Sequence, residues 1–287
     1  MSHVHLALAL GGDRPTSAAE LSLHAREAEV GLLDLITVDV SGEGAGELDA
    51  VLAATRLATT TRAVGLVPTV HAGRSDPSSI ARSLDALVRA GGGRAGVQLQ
   101  VPVPADEQGW AAAVRRRSTT GEQPLLALPG RPGRGRRALP GAADVAFVAP
   151  GDTDGARRLA SAARSAEQSP RHLLADVVVV LDSHEERALE RAARTAHQSA
   201  PSTAPVGAQV FAGTPAQLAD LALDLHDAGL TGLRLHPADL TLDLRSVTRG
   251  LVPELQRRGA FRRAYRGTDL RQRLADQDVA AQHRTAA

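Results

Sequence analysis

His71 and His236 each follow a short aliphatic run, T-V-H and R-L-H, at the point where the run gives way to a loop. An imidazole titrates close to neutral pH, so a histidine in such a place can hold or release a proton for a bound substrate. Thr69 stands near the end of the run that His71 follows, Asp39 at the end of another, and Gln98 lies late in a further one. One polar residue at the end of one run is ordinarily structural; five at or near the ends of four runs describe a rim, provided the fold brings those ends together. A second arrangement has a different chemistry. In LLALPGRPGRGRRA, residues 125–138, an aliphatic run enters a glycine-rich turn carrying Arg131, Arg134, Arg136 and Arg137, with Gly130 and Gly135 as pivots. Backbone amides near a helix start, supplemented by guanidinium groups, suit a phosphate; a solvated basic loop is the plain alternative.

The composition excludes much else. All 33 basic residues are arginine, so Schiff-base and Walker-type lysine chemistry is impossible, and with no cysteine there is no thiol nucleophile, disulfide or thiolate metal site. His3 and His5 form a His-x-His pair, but before and at the start of the first run, on the side of a barrel away from its chemistry, and no metal is expected there. GEGAG at 42–46 lacks the third glycine of a dinucleotide loop, Glu47 taking its place, and reads as an ordinary turn. Net charge is +1, so no global field draws the chain to nucleic acid or to a membrane, and no stretch approaches the ~20 apolar residues of a spanning helix. The N-terminus reads as a strand and not a signal peptide, and a cytoplasmic protein is expected.

Eight aliphatic runs carry these residues: 5–10, 35–40, 63–70, 95–101, 125–128, 144–149, 174–181 and 232–236. Each is Val/Leu/Ala-rich and barely alternating, as strands buried on both faces are. Between them lie amphipathic segments at 17–30, 47–60, 77–90, 152–167, 184–198, 214–226 and 246–258, with a weaker helix at 107–117. Thr214 with Pro215 and Gln217 forms a capping box, and Asp76 stands before Pro77 in the same way. Residues 199–210 read as a Ser/Pro/Ala linker over the surface. Strand and helix alternating this often predict a single-domain (β/α)8 TIM barrel over residues 1–275, followed by a flexible C-terminal tail, 276–287. With 2% aromatic residues, the core must be aliphatic.

The segment VPELQRRGAFRRAYRGTDLRQRL, 252–274, resembles the closing segment of the bacterial luciferase-like flavin-dependent monooxygenases, in particular the branch that oxidises aminopolycarboxylates and organosulfur compounds. The likeness extends through ATRLATTTRAVGLVPTV (54–70), ARSLDALVRAGGGRAG (81–96), PLLALPGRPGRGRRALPGAADVAFVA (124–149) and FAGTPAQLADLALDLHDAGLTGLRLHP (211–237). It implies a barrel with reduced flavin mononucleotide (FMN), or alternatively a deazaflavin, at the C-terminal rim. Asp39, Thr69 and Gln98 would line the isoalloxazine; Gly130, Arg131 and Gly135 would receive the phosphate. His71 and then His236 are the candidates for catalysis. A small-molecule substrate, a flavin reductase and a homodimer are the partners implied, and the arginine-flanked aromatics of the closing segment would fasten it to the barrel.

The chain also departs from the family. Gly-Trp-Asn on the fourth strand is here Gly96-Val97-Gln98; the Leu-Asp-His turn is Leu87-Val88-Arg89; and the phosphate loop exchanges serines for Arg131 and Pro132. The stretch between the fourth and fifth strands, 102–123, is short where the family covers its substrate. A catalytically degenerate flavin-binding or subunit-interaction homologue is therefore the alternative function.

Overall fold

The computed structural model describes residues 3–12, 17–40, 49–72, 77–101, 107–116, 123–130, 139–141, 143–166, 169–196, 203–267 and 269–275. Its elements run β1 (His5–Gly12), α1 (Ala18–Val30), β2 (Leu35–Val40), α2 (Asp49–Thr60), β3 (Gly65–His71), α3 (Pro77–Gly91), β4 (Gly96–Gln100) and α4 (Glu107–Arg116). They continue with β5 (Leu125–Pro129), β6 (Val145–Val148), α5 (Thr153–Arg164), β7 (His172–Leu181), α6 (Glu185–Ala196), β8 (Gln209–Gly213), α7 (Pro215–Asp227) and β9 (Gly232–Pro237). After β9 come α8 (Leu240–Ser246), a π turn (Val247–Leu251) and α9 (Val252–Arg257), then a last helical stretch at 270–275.

The strands pair in parallel in the order β6-β5-β4-β3-β2-β1-β9-β7, and β6 pairs with β7 to close the ring, giving an eight-stranded barrel wrapped by helices. Alternation of side chains along each strand sorts the core into two parts. Leu6, Leu8, Ile36, Val38, Leu66, Val97, Leu99, Leu126, Val177 and Leu233 face outward and pack under the helices. Ala7, Leu35, Val67, Leu125, Ala127, Val145, Phe147 and Leu174 face inward and fill the lower lumen, where Leu270 and Leu274 of the closing segment enter from below.

The caps follow the local chemistry. Ser17 accepts from the Glu20 amide while the Glu20 carboxylate accepts from Ser17 N–H, and Thr214 and Gln217 do the same for α7, with Pro215 at its first position. Asp152 caps α5 through the Gly155 amide. Asp76 lies outside the described residues, as does the stretch 276–287.

Three regions depart from expectation by more than two residues. Gln209 and Val210, at the end of the expected linker 199–210, open β8. Val177 of β7 pairs with Leu235 on one edge and Gln209 on the other, so β8 continues the edge of the ten-residue β7 that β6 occupies lower down. The final helix starts at Leu240, six residues before the expected Ser246, because Asp239 caps it through the Leu242 amide at 2.9 Å. The fifth helix stops at Arg164 and not at Glu167. Gly250, in the π turn, lets that turn rest on α7: a Cβ there would lie 2.6 Å from Cγ of Pro215.

Candidate functional site at the C-terminal end of the barrel

On five strands the inward face changes character in one step of two residues. Leu35 is followed by Thr37, Val67 by Thr69, Gly96 by Gln98, Leu174 by Asp176 and Gly232 by Arg234. The lower lumen is thus apolar and the upper lumen polar, and all five polar residues are buried.

Arg234 is the centre of the upper part. Its Nε donates to Asp176 Oδ1 at 2.5 Å, and its Nη1 reaches Gln98 Oε1 at 2.7 Å on the far wall. Its guanidinium lies over the Phe147 ring, 3.7 Å from the centroid, an arrangement in which the ring's negative face attracts the cation. His236 stands two residues further along β9, with Nε2 at 2.9 Å from Asp176 Oδ1 and Nδ1 at 3.2 Å from the Thr203 hydroxyl. A carboxylate only accepts, so the ring proton is assigned to Nε2 and Thr203 donates to Nδ1. Burial alone would raise the Asp176 carboxyl, but the Arg234 charge and the His236 bond outweigh it and hold the group ionised below the usual carboxylate range. Burial pushes His236 the other way, keeping the imidazole neutral, with Asp176 opposing.

The residues singled out from the sequence fall into three groups. Thr69 and Gln98 are register partners on β3 and β4, and His71 and Gln100 are partners one step above them. Asp39 lies on the inward face of β2, partly exposed. His236 is fully buried with both ring nitrogens engaged, Nε2 by Asp176 and Nδ1 by Thr203. Gly130 follows β5 with its own amide committed to the Phe147 carbonyl at 2.5 Å; Arg131 and Gly135 lie outside the described residues. Asp176 and Arg234 were not singled out. Their signal is present in the sequence: each is a lone charge in a run otherwise apolar, of opposite sign, and a buried charge requires a partner.

The opposite end of the barrel is a fastening. Asp34, before β2, accepts from Arg262, from the Leu6 amide at 2.9 Å, and faces His5 Nδ1 at 3.1 Å. Tyr265 donates to the Leu33 carbonyl at 2.7 Å, and Arg271 bonds Asp144 at 2.6 Å and the Pro124 carbonyl at 2.8 Å. Burial would raise Asp34, yet Arg262 and His5 hold it well below the usual carboxylate range. Three arginines of the closing segment are thus committed within the fold: Arg262 to Asp34, Arg271 to Asp144, and Arg273 to the Asp34 carbonyl at 3.5 Å. His5 belongs to this end, and among the described residues no group of three or more His, Asp or Glu side chains is placed to hold a metal ion.

The (β/α)8 barrel fold is shared with solved structures at low sequence identity. EDTA monooxygenase from Chelativorans sp. BNC1 superposes with a TM-score of 0.74 at 18% identity, covering 95% of this chain and 98% of its own. DmoA from Hyphomicrobium sulfonivorans gives 0.73 at 16%, covering 96% and 92%. Riboflavin lyase, solved with a modified FMN and riboflavin, gives 0.71 at 15%, covering 95% of each chain. No protein-family model matches the chain, and no curated protein sequence does.

Proposed function

We propose that this protein is a flavin-dependent oxidoreductase of the luciferase-like class, acting on a small organic substrate with reduced FMN, or with a deazaflavin in its place. The observation that carries the reading is the set of polar groups left open in the upper lumen. Among the described residues, the hydroxyls of Thr37 and Thr69, the Gln98 Nε2 and the His71 ring have no protein partner, and none is sealed from solvent. A buried polar group without a partner is costly, and these lie on adjacent strands at the end of the barrel where such folds hold their ligands. They fit the mixed donor and acceptor edge of an isoalloxazine.

A reduced flavin supplies an electron pair, to dioxygen or as hydride to the substrate. Thr69 and Gln98 would bind and orient it, with Asp39 at its margin. The Gly130 amide is committed, so Gly130 would serve the turn and the phosphate would fall to Arg131 and the residues through Gly135. His71, partly exposed at the end of β3, would hold or move the proton at its ring nitrogen. His236 would be a positioning residue, fixing Asp176. A flavin reductase, a homodimer and a cytoplasmic location belong to the same reading.

The test is a titration of the full chain with FMN and with a deazaflavin, followed by cofactor fluorescence and repeated with Arg131→Ala. Binding weakened about tenfold or more in the variant supports the phosphate assignment, on the scale of a charge-assisted bond. Absence of binding to either cofactor overturns the reading.

A further inference from the structure

Arg234, Gln98 and Asp176 form the floor of the upper lumen, and each keeps one functional atom uncommitted. Arg234 uses Nε and Nη1 and Gln98 uses Oε1, while Asp176 places both of its bonds on Oδ1. Arg234 Nη2, Gln98 Nε2 and Asp176 Oδ2 therefore have no partner among the described residues, and none is sealed from solvent. All three residues are at most 3% exposed, so these atoms open inward, into the barrel.

The chemistry of the three atoms selects the ligand group. Nη2 and Nε2 only donate and Oδ2 only accepts. A free arginine arm by itself would suggest an anion. Here the Arg234 charge is already balanced by Asp176, His236 is neutral, and a second carboxylate would face Oδ2 with nothing to offset it. A neutral group that accepts from two donors and donates once meets all three needs.

We propose that Arg234, Gln98 and Asp176 form a subsite for a neutral imide or cyclic amide edge, C=O flanking N–H. Such an edge is carried by the pyrimidine of a flavin or deazaflavin, and equally by a uracil-like or lactam substrate. The inference deepens the cofactor reading if the edge is the cofactor's and is independent of it if the edge is the substrate's.

The experiment uses the full chain and calorimetric binding of FMN, N3-methyl-FMN, uracil and benzoate, with and without bound FMN. N3-methylation deletes the imide donor and leaves Asp176 Oδ2 unpaired. The variants are Gln98→Leu and the double variant Arg234→Met/Asp176→Leu, which avoids stranding either charge. Circular dichroism confirms the fold. If the edge belongs to the cofactor, wild-type protein binds FMN about tenfold or more tightly than N3-methyl-FMN, and the double variant loses that discrimination. If it belongs to the substrate, the two flavins bind alike, and uracil binds the FMN-loaded wild type but not the variants. Uracil binding without FMN binding would sink the cofactor reading and keep the subsite. Binding of benzoate in preference to uracil, or equal imide binding by wild type and double variant, would overturn the subsite.

Discussion

Arg234 of β9 and Gln98 of β4 stand four strands apart around an eight-strand ring, on opposite walls, and are joined at 2.7 Å through the middle of the barrel. One side chain thus divides the lumen into an apolar lower part and a polar upper part. The division depends on Asp176, without which a guanidinium could not be held there, and on Phe147, whose ring supports it from below.

That dependence predicts a non-additive pair. Arg234→Met leaves Asp176 ionised and buried with only His236 against it, and is expected to cost about 3–5 kcal/mol of unfolding free energy. Arg234→Met/Asp176→Leu removes both charges with similar volume and should return to within about 2 kcal/mol of wild type. Urea unfolding of the two variants measures the difference; equal destabilisation would mean that the pair is not coupled.

Asp34 gathers the bottom of the barrel: a guanidinium, an imidazole and a strand amide converge on one carboxylate that is wholly buried. Asp34→Ala strands Arg262 and opens the join between β1, β2 and the closing segment. A loss of about 3–5 kcal/mol is expected, as a lower denaturation midpoint at unchanged slope. If the midpoint moved by less than the equivalent of about 1 kcal/mol, the staple would contribute no more than a surface ion pair.

The eight barrel strands were legible because each is a run of aliphatic residues buried on two faces, a pattern that burial alone dictates. β8 was not. It pairs along one edge only and keeps Val210 61% exposed, so its sequence, QVFAG after a Pro/Ser stretch, carries no continuous apolar signal. The site was half legible. Thr69, His71 and Gln98 of the candidate site were singled out because strand ends are where barrels keep their polar groups. Asp176 and Arg234 sit in mid-strand, where an isolated charge reads as an interruption until its partner, 58 residues away, is known. The phosphate assignment to Arg131 and Gly135 rests on the sequence resemblance, since those residues lie outside the described structure.

Leu270 closes the lumen from below, and Gly65 is small so that it can. A Cβ at Gly65 would lie 2.6 Å from Cδ2 of Leu270 and 3.0 Å from Cβ of Leu35. Leu270→Ala should cost about 2–5 kcal/mol by leaving a cavity. Gly65→Ala should cost about 1–3 kcal/mol by overpacking. Combined, the new methyl enters the space that leucine vacated, and the double variant should be more stable than the sum of the two losses allows. A double-mutant cycle on melting curves checks this; strict additivity would show that the two positions do not share a contact.

Acid should destabilise the fold well before the carboxylates titrate, and His172 is a principal reason. It sits at the start of β7, its ring edge-on to His5 at a centroid distance of 5.3 Å, and burial, aided by His5, pushes it down from 6.5 to about 3. A group whose folded value is depressed stays neutral while the unfolded chain takes up a proton. Its contribution is therefore complete above pH 6.5 and is lost progressively as the pH falls toward 3. His236, depressed by its own burial, acts in the same sense, whereas Asp243, raised by burial, opposes it just above 3.8. Each histidine that stays neutral should cost about 1.4 kcal/mol per pH unit below 6.5, so stability at pH 5.5 should lie measurably below that at pH 7.5. Below 3.8 the depressed carboxyls of Asp34 and Asp176 add to the loss. His172→Phe keeps a ring of similar shape and removes the titration, so the limb between pH 6.5 and 4 should flatten by about one proton's worth of slope. Unfolding free energies measured across that range in both proteins decide the matter: parallel curves would show that His172 is not the group that titrates.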